Sequence, residues 1–127
     1  MESRNTIQRS WVLDAVRSLR GHVTADEVYE YVIKNHPSVG KGTVYRNLNI
    51  LSEQGEIKRV EIPNGPNRFD FTLTRHYHAI CVKCDSVFDA DMDMIPELED
   101  LAHSTDDIKL LDYDILFKGI CSKCRAE

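Results

Sequence analysis

The chain has 127 residues, of which 42% are hydrophobic and 29% charged, and a net charge of −5. That length allows one domain or two small ones, and the composition is ordinary for a water-soluble protein. No run is long and apolar enough to span a bilayer, and the net charge taken alone argues against a nucleic-acid partner.

The charge is unevenly shared. Residues 1–72 carry ten Lys and Arg against nine Asp and Glu, a net +1, whereas residues 73–127 carry six against twelve, a net −6. The shift predicts two domains, 1–72 and 73–127, meeting near Leu73 to Arg75. Ile7 to Arg20 carries Val12, Leu13, Val16 and Leu19 as a helical stripe, and Gly21 ends it. Thr24 and Glu27 form a capping box for a second helix with Ala25, Val28, Tyr29 and Val32 on its apolar side. His36 precedes Pro37 and stops that helix. After a short link the spacing predicts a third helix over Gly42 to Gln54, with Val44, Leu48 and Leu51 inward and Gly55 as its stop.

Ile57 to Ile62 reads as a strand, Asn64 and Gly65 as a hairpin turn, and Arg68 to Leu73 as the returning strand with Phe69, Phe71 and Leu73 on one face. Three short helices followed by a hairpin predict a winged helix-turn-helix. With Val44 inward, a 100° step turns Gly42, Arg46, Asn49 and Glu53 outward. Arg46 and Asn49 suit base edges in the major groove, and Lys41, Thr43 and Tyr45 suit phosphate or base contacts at the margin. One Arg and one Asn on a helix face are ordinarily just solvated. The order of elements around them is what favours DNA.

The second half reads as a small α/β domain, giving an α+β chain overall. Strands are predicted over His76 to Val82 and Ser86 to Asp89, a helix over Ile95 to His103, and a long strand over Ile108 to Cys121. Its exposed strand would leave an edge, which pairing with a second copy would cover, so a homodimer is expected. All four cysteines fall in two C-x-x-C pairs, Cys81 with Cys84 and Cys121 with Cys124. Four thiolates suit a closed, structural tetrahedral Zn(II) site. A disulfide framework or redox pair is the rival. No apolar run opens the chain, so a reducing cytoplasm is expected, and there such pairs more often hold metal.

A second metal site is suggested by His76 and His78, which share a face of their strand. Asp89 can point the same way from the return strand, and Asp70 alternates away from Phe69 and Phe71. His22 lies in the loop between the first two helices. Each has an ordinary alternative. Asp70 could pair with Arg68 or Arg59, Asp89 could belong to a solvated acidic run with Asp91 or Asp93 in its place, and His22 could be a plain loop histidine. His36 and His103 are expected on the surface. Imidazoles with carboxylates suit Fe(II) or Mn(II), and can take Zn(II) or Ni(II).

Over nearly its whole length the chain resembles the ferric-uptake-regulator family. The resemblance is carried by Thr6 to Arg9, His22 to Tyr29, Thr43 to Leu48, Arg68 to Phe71, His76 to Cys84 and Cys121 to Cys124. Within the family it is most similar to the peroxide-sensing repressors. The resemblance implies a structural zinc on the four cysteines and a regulatory Fe(II) or Mn(II) on His22, Asp70, His76, His78 and Asp89. Aspartates at positions 70 and 89, where iron-uptake regulators usually carry glutamates, favour the peroxide type. The resemblance also implies a cytoplasmic homodimer that binds an inverted-repeat operator when metal-loaded, with the metal clamping the two halves. Peroxide would release it by oxidising His22 and His76. An iron or other metal uptake regulator is the alternative. A mononuclear metalloenzyme is the remote one, against which the winged helix argues.

Overall fold

Residues 4–73 and 76–126 are described by the computed structural model. They belong to two units, Met1–Thr74 and Arg75–Glu127, and together they make the expected α+β chain.

The first unit runs α1 (Arg4–Leu19), β1 (Val23–Thr24), α2 (Ala25–Asn35), α3 (Lys41–Glu53), β2 (Lys58–Val60) and β3 (Arg68–Asp70). Its core is the sum of the helical stripes: Val12, Ala15 and Val16 from α1, Val28 and Val32 from α2, and Val44, Leu48 and Leu51 from α3. Val23, Val39, Ile57 and Phe69 complete it. Burying each Val or Leu side chain stabilises the fold by roughly 1.5–3 kcal/mol, which is why these short helices hold together. Arg20 and Gly21 take φ of 54° and 74° and turn the chain out of α1. The capping box opens α2 in both directions: the Glu27 N–H donates to Thr24 Oγ1, and the Thr24 N–H donates to Glu27 Oε1, each at 3.1 Å. Helix α3 starts at Lys41, one residue earlier than expected, behind Gly40, which offers no side-chain cap. Gly55, at φ 77°, closes it, and the Glu56 N–H then reaches the Leu51 carbonyl at 2.9 Å.

Strand β3 lies between β1 and β2 and is antiparallel to both. In the hairpin the Gly65 N–H donates to the Ile62 carbonyl, and Asn64 takes the left-handed φ of 63° that its short polar side chain tolerates. The expected return strand to Leu73 stops at Asp70. There Asp70 Oδ1 accepts the Thr72 N–H at 2.9 Å, a local bond that replaces the ladder. Phe71 and Leu73 are consequently exposed rather than on the core face with Phe69.

The second unit has β4 (His78–Cys81), β5 (Val87–Asp89), α4 (Leu98–Leu101), β6 (Leu116–Gly119) and α5 (Ser122–Arg125). Strand β4 is central, antiparallel to β5 and parallel to β6. The helix expected over residues 95–103 is a single turn, and the strand expected over residues 108–121 covers only four residues. Leu101, Ile108 and Leu111 are exposed, so their apolar spacing has no packing to enforce it. Tyr77 organises this unit instead. Its buried hydroxyl accepts the Ile95 N–H at 3.1 Å and lies 3.4 Å from the Tyr113 hydroxyl, and its carbonyl accepts the Ala90 N–H. Among the described residues no helix is long and apolar enough to cross a membrane.

Candidate metal centres and recognition helix

The cysteines converge because the β4 sheet delivers three of them almost directly. Cys81 ends β4, a turn with Asp85 at φ 63° carries Cys84, and parallel β6 leads into Cys121, with Cys124 one turn on in α5. The turn is closed by the Asp85 N–H to the Cys81 carbonyl and by the Cys81 N–H to the Ser86 carbonyl, both at 2.9 Å. All four thiols are free, and their sulfurs lie within 4.8 Å of one another. Cys84 Sγ and Cys121 Sγ are 3.7 Å apart. Zn–S bonds of about 2.3 Å in a tetrahedron require sulfur separations of about 3.8 Å, so the spacing fits a four-thiolate ion.

Their electrostatics differ. The Cys121 N–H, which donates to Cys81 Sγ at 3.4 Å, and the N–H groups of Cys84 and Lys83 bring the Cys81 thiol down to about 6. The Ser86 hydroxyl beside Cys84 lowers that thiol too. Cys124, crowded by the Cys121 sulfur and partly desolvated, is pushed up to about 12. Cys81 and Cys84 on the knuckle of β4 are thus more acidic than an ordinary thiol, and Cys124 is less so.

The His and Asp candidates are grouped within each unit. In the first, the β1–β3 register sets Val23 opposite Phe69, which brings the next residues out, His22 and Asp70, side by side. His22 Nδ1 is 3.3 Å from Asp70 Oδ2, both side chains are buried, and the other Asp70 oxygen is held by Thr72. The guanidinium groups of Arg68 and Arg59 go elsewhere, to the Pro66 carbonyl and to Asn49. In the second unit the β4–β5 register sets His78 opposite Asp89. Asp89 Oδ1 lies 2.7 Å from His76 Nε2 and 3.9 Å from His78 Nε2, and the two rings are 4.3 Å apart. Asp89, not Asp91 or Asp93, is the carboxylate that meets both histidines. His103 is exposed, but His36 is not a plain surface residue. Its half-buried ring stacks flat on Trp11 at 3.6 Å.

On α3, Val44, Leu48 and Leu51 face the core, and Arg46, Asn49 and Glu53 are exposed. Asn47 escaped the periodicity reading because a polar residue on the inner face carries no apolar signal. It is buried, donates to the Thr43 carbonyl at 2.9 Å and accepts Arg9 Nε at 3.3 Å, tying α1 to α3. Each outward candidate already has a polar neighbour. Arg46 Nη2 is 3.4 Å from Thr43 Oγ1, and Asn49 Oδ1 accepts Arg59 from the wing at 3.2 Å. The Tyr45 hydroxyl donates to Asp26, and Lys41 Nζ lies 3.3 Å from the same carboxylate oxygen.

A model of the ferric uptake regulator family matches residues 1–118, which leaves the second cysteine pair beyond the match. The peroxide-responsive repressor PerR of Staphylococcus epidermidis is 32% identical over 124 residues, 98% of this chain and 83% of that protein. Among solved structures, the Campylobacter jejuni peroxide stress regulator is similar with a TM-score of 0.68 and 26% identity, over 95% of this chain and 91% of that one. The iron-containing ferric uptake regulator of Francisella tularensis shares the fold with a TM-score of 0.73 at 24% identity, over 98% and 94%.

Proposed function

The chain belongs to the ferric uptake regulator family, and we propose that it is a metal-dependent transcriptional repressor of the peroxide-responsive type. The observation that carries this reading is the carboxylate set: Asp70 against His22, and Asp89 against His76 and His78. Three imidazoles and two carboxylates fit Fe(II) or Mn(II), and aspartate stands at both acidic positions. The peroxide-responsive character of the relatives supports the same choice.

In this reading the five residues hold one regulatory ion, the four cysteines hold a structural Zn(II), and the chain acts in the cytoplasm as a homodimer on an inverted-repeat operator. It is a regulator, not an enzyme. Helix α3 enters the major groove, with Arg46 and Asn49 on base edges and Lys41, Thr43 and Tyr45 on the backbone. Because the ligands come from both units, ion affinity and the DNA-competent arrangement are thermodynamically coupled.

When bound, Fe(II) supplies redox activation of hydrogen peroxide. His22 and His76 would be the groups that record it: an imidazole C–H would become a C–OH, with two electrons passing from the ring to peroxide and water leaving. The modified ring is a poorer donor, so the ion and then the operator are lost. The test is mass spectrometry of tryptic peptides after peroxide, run beside a gel shift on the chain's own promoter region. One added oxygen is expected on the peptides holding His22 or His76 in the Fe(II) form but not the Mn(II) form, together with loss of the shifted band. Intact histidines with Fe(II)-dependent DNA binding would identify a metal-uptake regulator instead. Equal DNA affinity with and without metal would refute the switch.

A further inference from the structure

The exposed polar face formed by the first turns of α2 and α3 sets a carboxylate, Asp26, directly against two of the proposed DNA-contacting side chains. Asp26 lies in the first turn of α2, Lys41 is the first residue of α3, and Tyr45 follows one turn later. A single oxygen, Asp26 Oδ1, accepts the Tyr45 hydroxyl and pairs with Lys41 Nζ at 3.3 Å. The ammonium also lies 5.6 Å from the centre of the Tyr29 ring. The side chains of Lys41 and Asp26 are more than half exposed, at 56% and 61%. The hydrogen bonds from Tyr45 and Lys41 hold the Asp26 carboxyl below its ordinary range, and Asp26 holds the Lys41 ammonium above its own. The triad is therefore a carboxylate, an ammonium and a phenol at neutral pH.

An O–H and an N–H donor meeting at one anionic oxygen is also the arrangement a phosphate oxygen would take. From this, and resting on the DNA-binding reading above, we infer that Asp26 is an internal stand-in for a backbone phosphate, and that it sets specificity by withholding Lys41 and Tyr45 from loosely bound DNA. An exposed ion pair is weak and exchangeable. In a loose, sequence-independent encounter the phosphates stay distant, the Lys41–Asp26 pair is electrically neutral, and Lys41 adds nothing to the attraction. In a closely docked operator complex a phosphate reaches the pair and replaces the carboxylate. Asp26 thus penalises random DNA more than operator DNA.

The test compares wild type, Asp26→Asn, Lys41→Gln and the double variant as full-length Mn(II)-loaded protein. Binding is followed over a salt series with a duplex from the chain's own promoter region and a random duplex of equal length. Asp26→Asn should strengthen random-duplex binding and steepen its log–log salt slope by about 0.9 per protomer, or about 3.5-fold more affinity lost between 50 and 200 mM salt. The promoter slope should not change, so the preference for promoter over random DNA falls. Lys41→Gln should lower the promoter slope by a similar amount and leave the random slope alone, and in the double variant the random slope should return to wild type. An unchanged random slope in an Asp26→Asn protein of wild-type thermal midpoint overturns the inference and leaves the DNA-binding reading intact. So does weaker promoter binding by that variant, which would make Asp26 a positioning group. Wild type that retards neither duplex removes the DNA-binding reading itself, and the inference with it.

Discussion

Asp26 and Tyr45 share a bond that a titration can read without any DNA. The bond to the carboxylate raises the Tyr45 phenol above its ordinary 10.0. A raised value means the contact is present below 10 and is lost as pH climbs through the folded value. Asp26 works from the other side: its lowered carboxyl keeps the contact down to below 3.8. The pair should therefore persist across the physiological range, and the Tyr45 ring carbon signal in NMR should titrate later than in an Asp26→Asn variant. Coincident curves would contradict the contact. The cysteines give a second expectation at this scale. Zinc binds thiolates, and in a metal-free second unit that has lost its fold the four cysteines are ordinary thiols, with values of about 8.5, and are protonated at pH 7. Adding zinc to the reduced, metal-free protein in a weakly buffered indicator solution should release protons. Affinity should fall as pH drops, because protons then compete with zinc for all four sulfurs.

Among the elements, α2 shows how a local signal becomes structure. Its reciprocal Thr24–Glu27 bonds satisfy two first-turn groups, so Thr24→Ala should cost about 1 kcal/mol in urea unfolding, while Thr24→Ser should cost much less. A Thr24→Ala protein as stable as wild type would show that β1, which also contains Thr24, does the holding. The helices of the first unit were legible because their apolar spacing coincides with the core they build: Val28 and Val32, or Val44, Leu48 and Leu51, are buried where the period put them. The misses have physical reasons. Strand β1 is two residues long, too short for any periodicity. Asn47 is a buried polar group whose partner, Arg9, is 38 residues away. The apolar residues from Ile108 to Leu111 promised a strand but stay exposed, with Leu110 and Leu111 lining an open cavity beside Leu98 and Tyr113 rather than packing into a core. The candidate ligands read differently again. Spacing alone singled out His76 and His78, whereas the neighbours of His22 and Asp70 depend on a register that only the β1–β3 pairing reveals.

At the scale of the whole chain, the two units draw on different sources of stability. The first has a contiguous core contributed by three helices and the wing. Among the described residues of the second, the buried ones are Tyr77, His78 and Cys81, one of them a candidate metal ligand and another a thiol of the cysteine quartet. A unit with so little apolar interior needs a staple, and a structural zinc supplies on the order of 10 kcal/mol to folding. Stripping zinc with a strong chelator under reducing conditions should therefore unfold Arg75–Glu127 while Met1–Thr74 stays folded. Far-UV circular dichroism should keep most of its helical signal, since the helices of 16, 11 and 13 residues all lie in the first unit. Amide exchange should lose protection in β4 to β6 and keep it in α1 to α3. Cys121→Ser should reproduce the pattern without chelator, because it removes one of four ligands from a site with no spare donor among the described residues. If the homodimer is built on the second unit, the same treatment yields monomers with a folded first unit, seen by light scattering. Retained protection in β4 to β6 after complete zinc removal would mean that the Tyr77 hydrogen bonds and the sheet suffice. Simultaneous loss of protection in α1 to α3 would mean that the two units fold as one.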